Sequence, residues 1–144
     1  MELKRKDSIL AWHFFRDNGK TGQGDLPVIV SRIMRVDEPL AICHTGLHGS
    51  IRAIDALKYA PGCMIQRTEH WGEIQQQDDK LCSSRRKCLN KADARNTLIL
   101  WACWCAERQL EVFEARYPND QRPRAAIEAA HGVVAGTHTR DQAS

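Results

Sequence analysis

The stretch CHTGLHGSIRAIDALKYAPG, residues 43–62, marks a change from extended chain to helix in this sequence. Gly46 and Gly49 allow the sharp backbone reversal that a turn requires. Ser50 carries the hydroxyl that commonly caps the first turn of a helix, and the apolar positions over 51–57 recur with helical spacing. Pro61-Gly62 then ends the helix. The stretch therefore predicts a turn that feeds one short helix.

Extended chain is predicted on both sides of this helix. Four segments rich in β-branched or aromatic residues are predicted to be strands or extended segments: LAWHFFR (10–16), LPVIVSRIMRV (26–36), LAIC (40–43) and CMIQRTEHWGEIQ (63–75). Gly72 indicates a bulge in the last of them. The polar segment DDKLCSSRRKCL (78–89) is predicted to loop across the surface.

From Asp93 onward the apolar residues recur with a helical period. Trp101 and Trp104 lie where this helix is apolar around most of a turn, so we expect both indoles to be buried. Tyr117-Pro118 ends the helix, and Pro123 suits the first turn of a second helix over 124–131.

Together these elements predict an α+β fold. A small antiparallel or mixed β-sheet module with one inserted helix is covered by a C-terminal helical hairpin. We expect a single domain over 1–144, with the β-rich module at 10–90, the helical segment at 91–131 and a flexible tail at 132–144.

Composition excludes several classes of protein. The 144 residues are 42% hydrophobic and 27% charged, with a formal net charge of +3. This balance does not fit an acidic DNA mimic, and direct nucleic-acid binding is not expected. No apolar run approaches the roughly 20 residues of a membrane span, and Arg16, Asp17 and Asn18 interrupt the N-terminal apolar patch too early for a signal peptide. We therefore expect a cytoplasmic protein that does not contact membranes.

The six cysteines are predicted to be free thiols, because the chain is expected in the cytosol and contains no CxxC pair. No metal is expected. Two alternatives stay open: a structural zinc, and a Cys–His nucleophile that pairs Cys43, Cys63 or Cys82 with His48 or His70. The candidate zinc ligands are Cys43, His44, His48, Cys82 and Cys88.

Several short strings resemble a known but uncharacterised domain family of small phage and prophage proteins. These strings are WHFF (12–15), GLHGS (46–50), YAPG (59–62), GEI (72–74) and DDK (78–80). The segment CAERQLEVFEARYPNDQRPRAAIEAA (105–130) is similar to the helical segment of bacterial immunity proteins. The resemblance implies an origin in a mobile element and a place in the bacterial host cytosol, and it implies no particular activity.

The first functional hypothesis is a binding protein without catalytic residues or a cofactor. Phage accessory proteins of this size often bind and block host machinery, including CRISPR effectors, so the expected partner is a host protein or ribonucleoprotein complex. Aromatic and arginine side chains dominate the energetics of protein interfaces. The candidate anchors are Trp71, Arg85, Arg86, Tyr117, Arg122 and Arg124.

The alternative hypothesis is an enzyme, because the order of these strings also resembles an ADP-ribosyltransferase that uses NAD. The resemblance assigns His13 and Ser50 to cofactor contacts, with His48 and Glu73 completing the pocket. Relatives carry an acidic residue in the segment that matches SSRRK, where this chain has Arg85. A cation there would oppose the positive charge that develops at the ribose.

Overall fold

A long antiparallel hairpin forms the centre of the sheet in the computed structural model, which describes residues 7–37 and 39–141. By its internal contacts the chain divides into two compact units, Met1–Asp93 and Ala94–Ser144. The first unit holds β1 (Ile9–Phe15), β2 (Ile33–Arg35), β3 (Leu47–Gly49), α1 (Ala53–Leu57), β4 (Met64–Gln76) and β5 (Leu81–Asp93). The second unit holds α2 (Arg95–Arg116) and α3 (Arg122–Ala135).

The sheet of the first unit is antiparallel, with the strand order β1-β4-β5-β2 and with β3 also paired to β5. The short strand β2 stands at one end of this order. At the other end, Trp12 of β1 exchanges two backbone hydrogen bonds with Ser50, with N···O distances of 2.7 and 2.8 Å. Ser50 directly follows β3, so β1 contacts the end of β3. The strands β1, β4, β5 and β3 therefore form a closed ring of neighbours.

Alternation along β4 places polar residues on its buried face. Gln66, Thr68 and His70 are at most 2% exposed, as the period of two residues in a strand requires. The predicted bulge at Gly72 is confirmed: its φ is 83°, and the register with β5 shifts between Trp71 and Ile74. This bulge lets the two long strands bend around an interior that is partly polar.

An apolar cluster lies at the C-terminal end of β1. Phe15, Val28 and Cys88 form a buried cluster, and Met64 packs against it. Phe15 is fully buried and pairs with Met64 across the sheet.

The second unit is an antiparallel helical hairpin. A bidentate ion pair joins Arg124 to Glu114 at 2.8 Å, and the His131 Nε2–Glu107 Oε1 distance is 2.7 Å. Gly136, with a φ of 77°, provides the left-handed C-cap that ends α3.

The predicted α+β class, with one inserted helix and a C-terminal helical hairpin, is confirmed. The boundary between the units falls after Asp93, three residues beyond the predicted limit at 90. Whether both units behave as a single domain stays a prediction.

Two local predictions in the first unit are wrong. The segment 78–89 is not a surface loop, because its residues from Leu81 onward form β5, where Ser83 and Ser84 are buried beside their hydrogen-bond partners. LAIC (40–43) is not a strand, because Cys43 has a φ of 74° in a tight turn.

The predicted helix cap is wrong as well. The backbone of Ser50 is extended and bonded to Trp12, so the helix starts only at Ala53, after Arg52. No side chain caps this helix within the described residues.

Two predictions in the second unit also need correction. Trp101 and Trp104 are 45% and 54% exposed, because a hairpin of two helices covers only one side of α2. The second helix continues to Ala135, so the first four residues of the predicted tail 132–144 are helical. Residues 142–144 of that tail lie outside the described residues.

Candidate functional site

A cavity of about 960 Å³ lies within the first unit. Its wall combines β1, the loop over 21–26, β2, the turn leading into β3, β3 itself, helix α1 and Arg86 of β5. This volume is in the range of small-molecule sites, which are mostly apolar with a few placed polar groups. The polar side chains that line it include His13, His48, Ser50, Tyr59, Lys80 and Arg86.

Arg86 is the most unusual residue of the wall, since a cationic side chain is only 3% exposed. Its Nη1 donates to the carbonyl oxygen of His48 at 2.7 Å, and its Nη2 lies 3.7 Å from the Met34 sulfur. Within residues 7–37 and 39–141, no carboxylate forms an ion pair with it. Desolvation lowers the pKa of Arg86 to about 10, so the guanidinium stays charged at neutral pH.

His13 contributes a neutral ring to the same cavity. The Gln66 amide nitrogen lies 2.9 Å from His13 Nδ1 and donates to it, which places the ring proton on Nε2. Burial lowers the pKa of His13 well below its ordinary value, and Arg86 lowers it further. His13 therefore presents an N–H donor for which the described residues supply no acceptor.

His48 is held by the backbone of its own turn. Its Nε2 accepts from the Cys43 N–H at 3.1 Å, and its pKa is lowered by burial and by Arg86, with a smaller opposing contribution from a hydrogen bond to the Gly46 backbone. Both ring nitrogens are thus engaged. The side chain closes the turn and brings its carbonyl to Arg86.

Behind the wall, His70 forms a buried polar network that sequence reasoning missed. Thr68 Oγ1 lies 2.9 Å from Nε2, and Ser83 Oγ lies 2.7 Å from Nδ1 and 2.8 Å from the Arg85 carbonyl. Each proton has one acceptor if Thr68 donates to Nε2, Nδ1–H donates to Ser83, and Ser83 donates to the carbonyl. Burial, followed by Arg86 and His48, lowers the pKa of His70 to about 3.

Alternation within β4 could have indicated part of this network. Arg67 and Glu69 favour the solvent side of the strand. Alternation then assigns Gln66, Thr68 and His70 to the interior. Ser83 and Arg86 could not be found in this way, because their segment was taken for a loop.

The mouth of the cavity is formed by Tyr59 and Lys80. Tyr59 Oη donates to Asp79 at 2.8 Å, while the Lys80 ammonium lies 4.9 Å from the centre of the Tyr59 ring and contacts the Cys43 sulfur. These contacts hold the Lys80 ammonium at the mouth of the cavity.

The structure brings three of the four residues of the alternative NAD pocket together. His13, His48 and Ser50 all line the cavity. Glu73 does not: it is exposed on the bulge of β4, where its N–H donates to Ser84 Oγ at 2.9 Å.

The candidate anchors of the first unit are not free surface side chains. Trp71 is 7% exposed, and Arg86 is buried in the cavity wall. Arg85 donates to the carbonyls of Val36 and Ser84 and pairs with Asp37 at 3.0 Å. All three residues lie on β4 and β5, whose packing removes them from solvent.

The candidate anchors of the second unit are accessible. Tyr117 is 47% exposed and packs against Phe113, with the ring centroids 5.0 Å apart and the ring planes tilted by 42°. Arg122 forms a bidentate pair with Asp120, whose pKa falls to about 2 because of this hydrogen bonding. Arg124 is held by its ion pair to α2.

An apolar stripe on α2 was missed as a surface because its tryptophans were expected in the core. We define the α2 stripe as Trp101, Trp104, Arg108 and Val112, which share one face of the helix. Val112 is 69% exposed, and the Arg108 guanidinium lies 4.4 Å above the Trp104 ring. This combination of indole and arginine is typical of binding surfaces.

Two kinds of site were sought in the described part of the chain. No group of three or more His, Cys, Asp or Glu side chains there could hold a metal ion, and the described cysteines are free thiols. None of the helices in that part is both long and apolar enough to span a bilayer.

Comparison with known proteins connects the second unit to a family. Residues 89–144 match the sequence model of the family described as Imm-5 like putative immunity protein. Comparisons with curated proteins and with solved structures return no match. The matched segment contains both helices and the α2 stripe, and it confirms the similarity to immunity proteins that the sequence indicated for 105–130.

Proposed function

We propose that this protein acts by binding another protein and blocking it, in the manner of an immunity protein, without catalysing a reaction. The observation that carries the proposal is the family match over residues 89–144. An immunity protein needs an accessible recognition surface on a stable scaffold, and the matched segment presents one on α2.

The α2 stripe supplies the chemistry of such a surface. Two half-exposed indoles at 101 and 104 offer large apolar area at small entropic cost, and Arg108 adds a charged group stacked on one of them. Tyr117 and the paired Arg122 and Arg124 extend the candidate contact area within the same unit. Trp71, Arg85 and Arg86 play no part in it, since they are fixed in the sheet of the first unit.

A more specific form of the proposal names the source and the partner. The strings that resemble those of phage and prophage proteins favour a mobile-element origin, and we propose that the chain acts on a host defence component in the bacterial cytosol, for example a CRISPR effector complex. Such a partner is a protein or a ribonucleoprotein.

Trp104→Ala is expected to weaken partner binding by about thirtyfold, the size of a central interface residue worth about 2 kcal/mol. The full-length protein would first be used to capture and identify a stoichiometric partner from bacterial lysate. Affinity for the purified partner and inhibition of its activity would then be measured with wild type and variant.

Tyr59→Ala is the matched control, because Tyr59 is an exposed aromatic residue (51%) on the first unit. It should bind the partner as the wild type does. Equal affinity of wild type and Trp104→Ala, or a partner that is covalently modified and released, would contradict the proposal.

The second candidate function is an NAD-using transferase, favoured by the presence of His13, His48 and Ser50 in one cavity. Two observations speak against catalysis there. Glu73 lies outside the lining, and the buried charge near the three residues is the cation of Arg86, which would destabilise an oxocarbenium-like centre.

We therefore expect no release of nicotinamide when the protein is incubated with NAD, measured by chromatography over several hours. His13→Ala serves as the comparison. Release by the wild type that this variant abolishes would establish the enzyme instead.

A further inference from the structure

The cavity of the first unit has a positive wall and holds few opposing charges. Among the residues that the structure describes, four cationic side chains line it, and the lining includes one carboxylate, Asp37, which is 73% exposed and paired with Arg85 outside the cavity. The four cations are Arg16, Arg35, Lys80 and Arg86.

Among these cations, Arg86 is the one whose charge a ligand would have to neutralise. Arg16 already pairs with Asp25, and Lys80 contacts Cys43 at the rim. The partners of Arg86 are a carbonyl and a thioether, neither of which carries a charge. Burying a cation without a counter-ion is costly, so such groups usually have an anionic partner.

We infer that this cavity binds a small organic phosphate of nucleotide size, with Arg86 as the anion anchor and the His13 Nε2–H as a second donor. The guanidinium fork matches the oxygen spacing of a phosphate. His13 faces the same space as an uncharged donor, because its Nδ1 is occupied by Gln66.

The charge and shape of the cavity favour a phosphate ester over a simple carboxylate. Arg35 and Arg86 together offer more positive charge than one carboxylate would neutralise, whereas a phosphate ester carries up to two negative charges. The lining also includes apolar side chains that suit a base or sugar, namely Trp12, Phe14, Met34, Val36, Leu47 and Pro61. About 960 Å³ is ample room for a nucleoside diphosphate.

This site is independent of the protein-binding proposal, because every residue that forms it lies in the first unit. Ligand binding should therefore persist in Trp104→Ala. Loss of partner binding in that variant and loss of ligand binding in an Arg86 variant would report separately on the two proposals.

The test is isothermal titration of the full-length protein with ADP, ribose 5-phosphate and adenosine. We expect ADP to bind at least tenfold more tightly than adenosine, which lacks the anion. Arg86→Met, which keeps the length of the side chain and removes its charge, should weaken ADP binding at least tenfold. Tighter binding of ADP than of ribose 5-phosphate would indicate that the base contacts the apolar wall. Equal affinity would indicate that the ligand of this cavity is a sugar phosphate.

Lys87→Met is the matched control. It removes the next cation along β5, a partly exposed lysine that is not among the described lining residues of the cavity, and it should retain wild-type affinity. The inference is overturned if neither phosphate binds at about millimolar concentration, or if Arg86→Met binds them as well as the wild type.

If Arg86→Met does not fold, the wild-type protein still decides the question. The groups whose charges reach the His13 ring are Arg86, His70 and His48, all of which disfavour its protonation. A bound phosphate dianion should raise the pKa of His13. Histidine NMR spectra recorded over a series of pH values, with and without ADP, would measure this change. An unchanged titration of His13 at saturating ADP would overturn the inference.

Discussion

Acidification from pH 7.5 to pH 5 is expected to lower the free energy of unfolding by about 2 kcal/mol through His70 alone, and by about 4 kcal/mol at pH 3. The pKa of this histidine is about 3 in the folded protein against an ordinary value of 6.5. Between these values the unfolded chain binds a proton that the folded protein rejects. Stability is therefore full above pH 6.5 and is lost as the pH falls toward 3.

The structural origin of this effect is the burial of the ring, which withholds water from a charged imidazole, and Arg86 then repels the positive charge. Thr68 and Ser83 contact the two ring nitrogens. Protonation would require the Thr68 hydroxyl to turn and accept from Nε2. It would also place two cations side by side in the interior, where the effective dielectric constant is low.

Urea denaturation of the wild type and of His70→Gln at pH 7.5 and pH 5 checks this prediction. The decrease in the free energy of unfolding between pH 7.5 and pH 5 should be about 2 kcal/mol smaller in the variant than in the wild type. The contributions of His13 and His48 remain in both proteins. Leu10→Ala, at a position of β1 that is 48% exposed and cannot titrate, should keep the wild-type dependence. Identical pH profiles for wild type and His70→Gln would show that His70 is not held neutral.

Phe15→Ala is expected to lower the free energy of unfolding of the first unit by about 3–5 kcal/mol. The ring is fully buried against Val28 and Cys88, with Met64 packed beside it. Removing the ring loses its burial and leaves a cavity that the neighbouring side chains close only in part. The loss should appear as a lower midpoint in thermal and chemical denaturation followed by circular dichroism.

Leu10→Ala tests the same strand at a position that is 48% exposed. It should change stability by less than about 1 kcal/mol. If Phe15→Ala were as mild as this control, the cluster around Phe15 could not be the apolar core of the sheet.

Sequence periodicity predicted the elements whose burial follows a simple pattern. The alternation of β1 and β4, the bulge at Gly72 and the helical period after Asp93 were all sufficient to identify their elements. The strand β5 was not identifiable in this way. Its first four residues, Leu81 to Ser84, are buried on both faces, so they show no alternation, and the basic residues that follow resemble a solvated loop.

The candidate site was predictable only in part for the same reason. His13, His48 and Ser50 could be grouped because they lie in recognisable strings, and all three line one cavity, whereas Glu73 does not and binding of NAD there stays a prediction. Arg86 was assigned to a surface, since arginine is rarely buried without an acidic partner and the sequence cannot show a tertiary hydrogen bond to a carbonyl. The tryptophans of α2 were assigned to the core, because hydrophobicity alone does not distinguish a core from a recognition surface.

The ends of the strand order also determine how this protein can associate. An open strand edge can pair with the backbone of a neighbouring chain, and short, charged edges resist such addition. β2 has only three residues, of which Arg35 is exposed, and it follows directly on the exposed Arg32, while Trp12 of β1 already shares its backbone groups with Ser50. Growth of the sheet into fibrils is therefore disfavoured at both ends, and association through this unit would have to use side chains.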